Sequence, residues 1–175
     1  MINKLKNIEF LLPSLVNDPS IWKTLDIDYY PPRVERLWTE LNDGTRLFIH
    51  VIHPTESPCL FHKHRWPAAF KIIQGKYEMG ISYSESEIDS DSAYETLPMI
   101  SKFILDTGSY YEMTNTHSLH YVKPLDNISI SLMITGPLYK ESEYRKEVLN
   151  KKLNPLTDNR KNEILNTVFK NLLYK

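Results

Sequence analysis

Between residues 34 and 134 short runs rich in β-branched and aromatic side chains alternate with turn residues, a pattern that predicts strands. Val34 to Leu41 and Thr45 to His53 flank Asn42-Asp43-Gly44, the strongest hairpin signal in the chain, and are expected to pair. Phe61 to Gly75, FHKHRWPAAFKIIQG, reads as a strand after Pro58, closed by a turn at Gln74-Gly75-Lys76 that leads into YEMGISYS. Strand signals return at Met99 to Leu105, turn at Asp106-Thr107-Gly108, and continue through Tyr110 to Met113, His117 to Val122 and Ile128 to Ile134. So many short strands separated by turns predict a mainly β fold, a barrel or jelly roll that leaves few sheet edges.

The two ends follow another pattern. Residues 4–24 suit two short helices broken near Asp18-Pro19, and Asp26 to Pro32, DIDYYPP, reads as an irregular connector. After Gly136-Pro137 the pattern turns helical: 139–150 is charged, while Ile164, Leu165, Val168, Phe169, Leu172 and Leu173 fall at helical spacing behind Asp158. That apolar face is expected to cover the outside of the β-core or to meet another subunit. Residues 84–95, SESEIDSDSAYE, read as a solvated acidic loop without the spacing of a calcium site. The expected organisation is one domain over 1–175, with its barrel core at 33–137, a helical N-terminal extension over 1–25 and helices over 138–175.

Composition narrows the partners. A formal charge of -1 from 21 basic and 22 acidic residues spread along the chain provides no basic stripe for nucleic acid and no polybasic membrane patch. Cys59 is the only cysteine, which excludes an intrachain disulfide and a cysteine-rich zinc site and suits a small buried apolar role. The N-terminal apolar run is interrupted by Glu9 and Pro13, and no stretch is long enough to span a bilayer, so the expectation is a soluble cytoplasmic protein.

The chemistry concentrates in histidines. On a strand His62 and His64 project to one side and Lys63 to the other, which makes a two-nitrogen clamp for a transition metal. A third ligand is expected from the stretch THSLHYVKP, where His117 and His120 compete; three apart, they cannot both face inward, and the register favours His120. His50 and His53 are likewise three apart, so at most one looks inward, and both suit core or pocket roles rather than ligation. Arg36 has a solvated or structurally paired reading beside a functional one.

These residues resemble a cupin. His62, His64 and Gly75 match the family's first motif, and Gly108 with His120 match its second; the likeness covers roughly residues 45–136. The Glu expected shortly after the HxH pair is absent, its neighbourhood being Ala68 and Ala69. Within cupins, the three-histidine pattern is similar to that of thiol dioxygenases such as cysteine dioxygenase, with segments like FKIIQG, SLHYV and ISLMITGP.

The resemblance implies a non-haem iron(II) dioxygenase, with His62, His64 and His120 holding Fe(II) and with zinc or nickel as the alternative metals. Three neutral imidazoles leave the charge of the ion uncompensated and adjacent coordination positions open. The substrates implied are dioxygen and a small anionic molecule bearing a thiol or carboxylate. Arg36 stands where the family arginine holds a substrate carboxylate. Tyr77, with Tyr83, Tyr110, Tyr111 and Trp66, is a candidate to line the pocket or donate a hydrogen bond, and Arg36 and Tyr77 are the candidate catalytic side chains. The family's active-site Tyr is replaced by Thr135, and the Cys of the animal enzymes by an Ala. A zinc-dependent hydrolase or lyase on the same three ligands, and a non-catalytic barrel that binds a small molecule, are the alternatives. A homodimer is expected by resemblance alone.

Overall fold

The computed structural model describes residues 1–28, 31–85, 97–125, 127–139 and 154–173. Helices α1 (Ile2–Glu9) and α2 (Leu12–Val16) and a short 3-10 turn (Pro19–Ile21) precede ten strands. The strands are β1 (Lys23–Ile27), β2 (Val34–Glu40), β3 (Arg46–Ile52), β4 (His62–Lys63), β5 (Ala68–Gln74), β6 (Lys76–Tyr83), β7 (Met99–Asp106), β8 (Tyr110–Met113), β9 (Ser118–Pro124) and β10 (Ser129–Thr135), and helix α3 (Asp158–Leu173) follows.

The strands form two antiparallel sheets, ordered β1-β2-β3-β10-β5-β8 and β4-β9-β6-β7. Pairing across the last eight strands is nested: β3 with β10, β4 with β9, β5 with β8 and β6 with β7. A long antiparallel ribbon rolled on itself produces that order, which is the double-sheet jelly roll. The mainly β fold expected from the alternating pattern is the fold observed.

Period-two alternation assigns the faces. Phe48, Ile52, Phe70, Ile72, Tyr77, Met79, Val122 and Met133 lie between the sheets in two buried apolar clusters. The other face of the six-stranded sheet carries Leu37, Leu47, Ile49, Val51, Ala69, Ile73, Ile130, Leu132 and Ile134, and the helices cover it with Leu5, Ile8, Leu12, Val16, Ile164, Leu165 and Val168. β10 is therefore buried along its whole length. Burying the three α3 side chains contributes about 1.5–3 kcal/mol each.

Two polar latches fix these helices. Glu35, buried on β2, accepts hydrogen bonds from Arg160 Nε (2.8 Å) and Nη2 (2.6 Å) on α3, and His53 Nε2 stands 2.9 Å from the same carboxylate. These partners outweigh burial and hold the Glu35 carboxyl below its ordinary pKa. On the other side Lys71 of β5 pairs with Glu9 of α1, and Tyr110 donates to the same carboxylate at 2.6 Å.

Four expectations need correction. The N-terminal helical stretch breaks at Phe10-Leu11 as well as near Asp18-Pro19, and Lys23–Ile27 is strand rather than part of a helical extension, because Leu25 and Ile27 sit in register with Arg36 and Val34 of β2. Phe61 to Gly75 is not one strand: Arg65-Trp66-Pro67 divides it into β4 and β5, on different sheets, since proline cannot donate to a ladder. Of the DIDYYPP connector, Asp26 and Ile27 belong to β1, and Tyr29 and Tyr30 lie outside the described residues. Most of the acidic stretch at 84–95, and the charged stretch at 139–150 but for its first residue, also lie outside them. The turn glycines behave as expected: Gly44, Gly75 and Gly108 all have positive φ, and at Gly75 a Cβ would also stand 2.8 Å from the Ile128 carbonyl.

Gly80 of β6 answers to space. A Cβ there would lie 2.1 Å from the Tyr121 ring, which is held by a 2.7 Å bond from its hydroxyl to Glu78 and by edge-on packing with Phe61. Gly80→Ala is expected to destabilise by about 1–3 kcal/mol, seen as a thermal midpoint lowered by several degrees. An unchanged midpoint would show that Tyr121 does not lie over this glycine.

Candidate metal centre

The nested pairing brings the histidines together. β4 lies against β9 with His62 directly opposite His120, and both rings enter the space between the sheets at a centroid separation of 4.6 Å. His64, two residues on and therefore on the same side, follows the end of β4; its ring centroid is 5.4 Å from His62 and 4.9 Å from His120. One ligand nitrogen from each of the three can be chosen so that all lie within 4.8 Å of one another.

The donor atoms suit a cation. Burial is the largest influence on all three imidazoles and drives their pKa values down, His62 to about 4, so they are neutral and keep lone pairs at neutral pH. His62 Nδ1 faces the Leu60 carbonyl at 3.3 Å, which places the proton on Nδ1 and leaves Nε2 as the donor atom. His64 Nε2 and His120 Nε2 are 2.8 Å apart. Nitrogens about 2.1 Å from one ion stand about 3.0 Å apart at a right angle and about 3.4 Å apart at the tetrahedral angle. The observed spacing is nearer the first. His120 Nδ1 is buried without a hydrogen-bond partner, so packing beside Phe70 (5.7 Å) and Tyr111 (6.1 Å) orients this ring instead of the acceptor that ligating histidines usually have.

The rings line a cavity of about 70 Å³ with Arg36, His50, Tyr77, Tyr111 and Ser131 on its polar walls and Ile27, Pro31, Pro32, Val34, Ile52, Leu60 and Val122 among its apolar ones. That space holds about five to seven water-sized groups. Among the described residues no carboxylate lines it. Tyr77 and Tyr111 share a hydrogen bond of 3.0 Å between their hydroxyls, and Tyr111 stacks on Phe70 at 4.4 Å. Burial raises both phenol pKa values, so each hydroxyl keeps its proton. Two hydroxyls joined by one bond leave one proton to offer elsewhere.

Each sequence candidate has a definite place. Arg36, Tyr77, His62, His64 and His120 meet in this cavity. His117 does not: its Nδ1 faces the Ser84 carbonyl at 3.3 Å and its ring lies beside exposed Tyr83. His50 points inward and His53 outward, as their spacing requires. Of the aromatic candidates, Tyr111 joins Tyr77, whereas Tyr110 faces α1, Tyr83 is exposed, and Trp66 stacks with Arg46 at 4.3 Å away from the cavity lining. Thr135 is buried between the sheets but does not line the cavity. Cys59 is half-buried, with burial pushing its thiol up to about 11. Ser131 and the contact between Arg36 and His50 were not anticipated, although a hairpin centred on Asp43 sets residue 36 opposite residue 50.

No family model and no curated protein matches the sequence. Solved structures do. Hydroxypropylphosphonic acid epoxidase from S. wedmorenis aligns at 11% identity and a TM-score of 0.47 over 68% of this chain and 57% of that one. An RmlC-like cupin from Shewanella frigidimarina NCIMB 400 aligns at 12% and 0.45 over 68% and 87%, and the EutQ protein of Clostridium difficile at 11% and 0.42 over 66% and 78%. The chain thus spans little more than half the length of the epoxidase it matches. These are likenesses of fold alone. Among the described residues no helix is long and apolar enough to cross a membrane.

The histidines that line the cavity set a pH dependence. Between about pH 4 and the ordinary histidine value near 6.5, unfolded chains bind protons that native His62 refuses, and His50, His64 and His120 act in the same direction. Stability of the metal-free protein is therefore expected to rise with pH through that window and to level off above it. Urea midpoints from pH 4 to 8, with histidine resonances followed by NMR, provide the check; His62 titrating near 6.5 would contradict it.

Proposed function

We propose that the protein is a metal-dependent oxygenase of the three-histidine cupin type, a non-haem iron(II) dioxygenase acting on a small anionic substrate that bears a thiol or carboxylate. The observation that carries this reading is the meeting of three neutral imidazoles, His120 buried and His62 and His64 half-buried, in a cavity that no described carboxylate lines. His62, His64 and His120 would hold the metal. Iron(II) there would supply the electron transfer that lets dioxygen react with a closed-shell organic molecule.

The rest of the chemistry belongs to the chain. Neutral ligands leave the cavity's positive charge intact, and Arg36 adds to it, so an anion is drawn in and oriented. The Tyr77 and Tyr111 pair offers one hydroxyl proton to an anionic oxygen or sulfur, a part that Thr135 cannot take from outside the cavity. Apolar walls from Ile27, Pro31, Pro32 and Leu60 exclude water and limit the substrate to a few non-hydrogen atoms. A zinc hydrolase or lyase would share the three ligands, but among the described residues no carboxylate lines the cavity to act as general base.

Protein made with iron as the only added metal is expected to retain about one iron per chain. His64→Ala is expected to weaken metal binding at least about 100-fold, more than losing an outer-shell partner costs. Oxygen-electrode traces should show uptake on addition of short mercaptocarboxylates to the iron-loaded protein, lost in His64→Ala. Iron-loaded protein that shows no oxygen uptake would overturn the oxygenase reading, and unchanged metal content in His64→Ala would overturn the centre itself.

A further inference from the structure

A fourth imidazole stands in the cavity outside the three-histidine group. His50 of β3 is the direct cross-strand partner of Arg36 on β2, and both side chains turn inward. Arg36 Nε donates a hydrogen bond to His50 Nε2 at 3.1 Å. A guanidinium never accepts, so Nε2 must carry a lone pair and the His50 proton must sit on Nδ1. His50 is buried, and its desolvation, with Arg36 next in weight, depresses its pKa, which keeps the ring a neutral acceptor. The Arg36 guanidinium also lies over the Phe48 ring at 5.7 Å, while Phe48 and His50 stand 5.8 Å apart on the same face of β3.

We propose that His50 is a positioning residue that aims Arg36 at the three-histidine centre, so that a small carboxylate in the cavity is held by the guanidinium and the metal together. The inference rests on the reading of His62, His64 and His120 as metal ligands. The residue type is informative. Two other arginines in this chain are fixed by carboxylates, Arg33 by Asp26 and Arg160 by Glu35. A carboxylate at position 50 would fix Arg36 equally well while cancelling charge that an anionic ligand needs. An imidazole anchors the guanidinium through one N–H and itself cancels none of it.

The test separates His50 from the centre it serves. Acetate is the probe, since its four non-hydrogen atoms fit the space, and its affinity for the cobalt(II)-loaded protein is read from the visible spectrum. His50→Gln, whose amide oxygen can replace Nε2 as acceptor, is expected to bind acetate within about threefold of wild type. His50→Phe, which removes the acceptor, and His50→Glu, which cancels charge, are each expected to weaken acetate by about tenfold or more, the worth of a hydrogen bond to a charged group. All three should still take up one metal per chain. Long-range proton–nitrogen NMR on the metal-free wild type should show His50 protonated at Nδ1, a result that does not depend on the metal reading.

Acetate binding in His50→Phe equal to wild type, wild-type protein that takes up metal but no acetate, or an Nε2-protonated His50 would each overturn the proposal. Failure of the wild type to take up metal would instead overturn the metal centre, and with it the partnership of Arg36 and metal.

Discussion

The register between β4 and β9 is the constraint on which the site depends. Because side chains alternate, a slip of one residue would turn His120 out and bring Leu119 in, and the triad would lose a member. β4 pairs at only two positions, too few to set a register by itself. β9 is fixed from its other side, where it pairs with β6 continuously from Tyr83 opposite Ser118 to Tyr77 opposite Pro124. The short strand therefore inherits its position from a ladder built elsewhere in the roll. His64 lies beyond that ladder and is brought back over His120 by the bend at Arg65-Trp66-Pro67, where Gly136 N–H donates to the Pro67 carbonyl at 2.8 Å.

Burial gives the same three rings their chemistry and their cost. Desolvation strips them of protons and exposes lone pairs to a cavity with too few polar partners, which lowers the stability of the metal-free state and raises the gain from binding a cation. The sheet that bears Arg36 and His50 can carry this polar interior because its opposite face is largely apolar and covered by three helices. Glu35 and Arg36 are neighbours on β2 and show the division: one points outward to anchor α3, the other inward to the cavity. The charge that anchors a helix and the charge that faces the cavity are separated by the pleat of one strand.

Much of this was legible in the sequence. The Asn42-Asp43-Gly44 turn located the first hairpin, and β-branched and aromatic runs between turn signals located most of the strands behind it. His62, His64 and His120 were readable because HxH on a strand is a geometric statement, and because the three-apart spacing of His117 and His120 forces a choice. What escaped depended on partners distant in sequence. Lys23–Ile27 carries little apolar periodicity and is strand because β2 offers it an edge. Tyr110 and Tyr111 are equivalent in composition, and only the pairing of β8 with β5, Tyr111 opposite Phe70, decides which one faces the cavity. The division of Phe61 to Gly75 was signalled by Pro67, whose effect on a ladder outweighed the apolar run around it.

X-ray absorption at the iron edge on the iron-loaded protein tests the central claim most directly, because it reports the atoms bound to the metal rather than its presence. The expected spectrum shows three imidazoles about 2.1 Å from the iron with only light, exchangeable ligands besides. A first shell without imidazole scattering, or one containing a single imidazole, would mean that His62, His64 and His120 meet in the cavity without forming a metal centre.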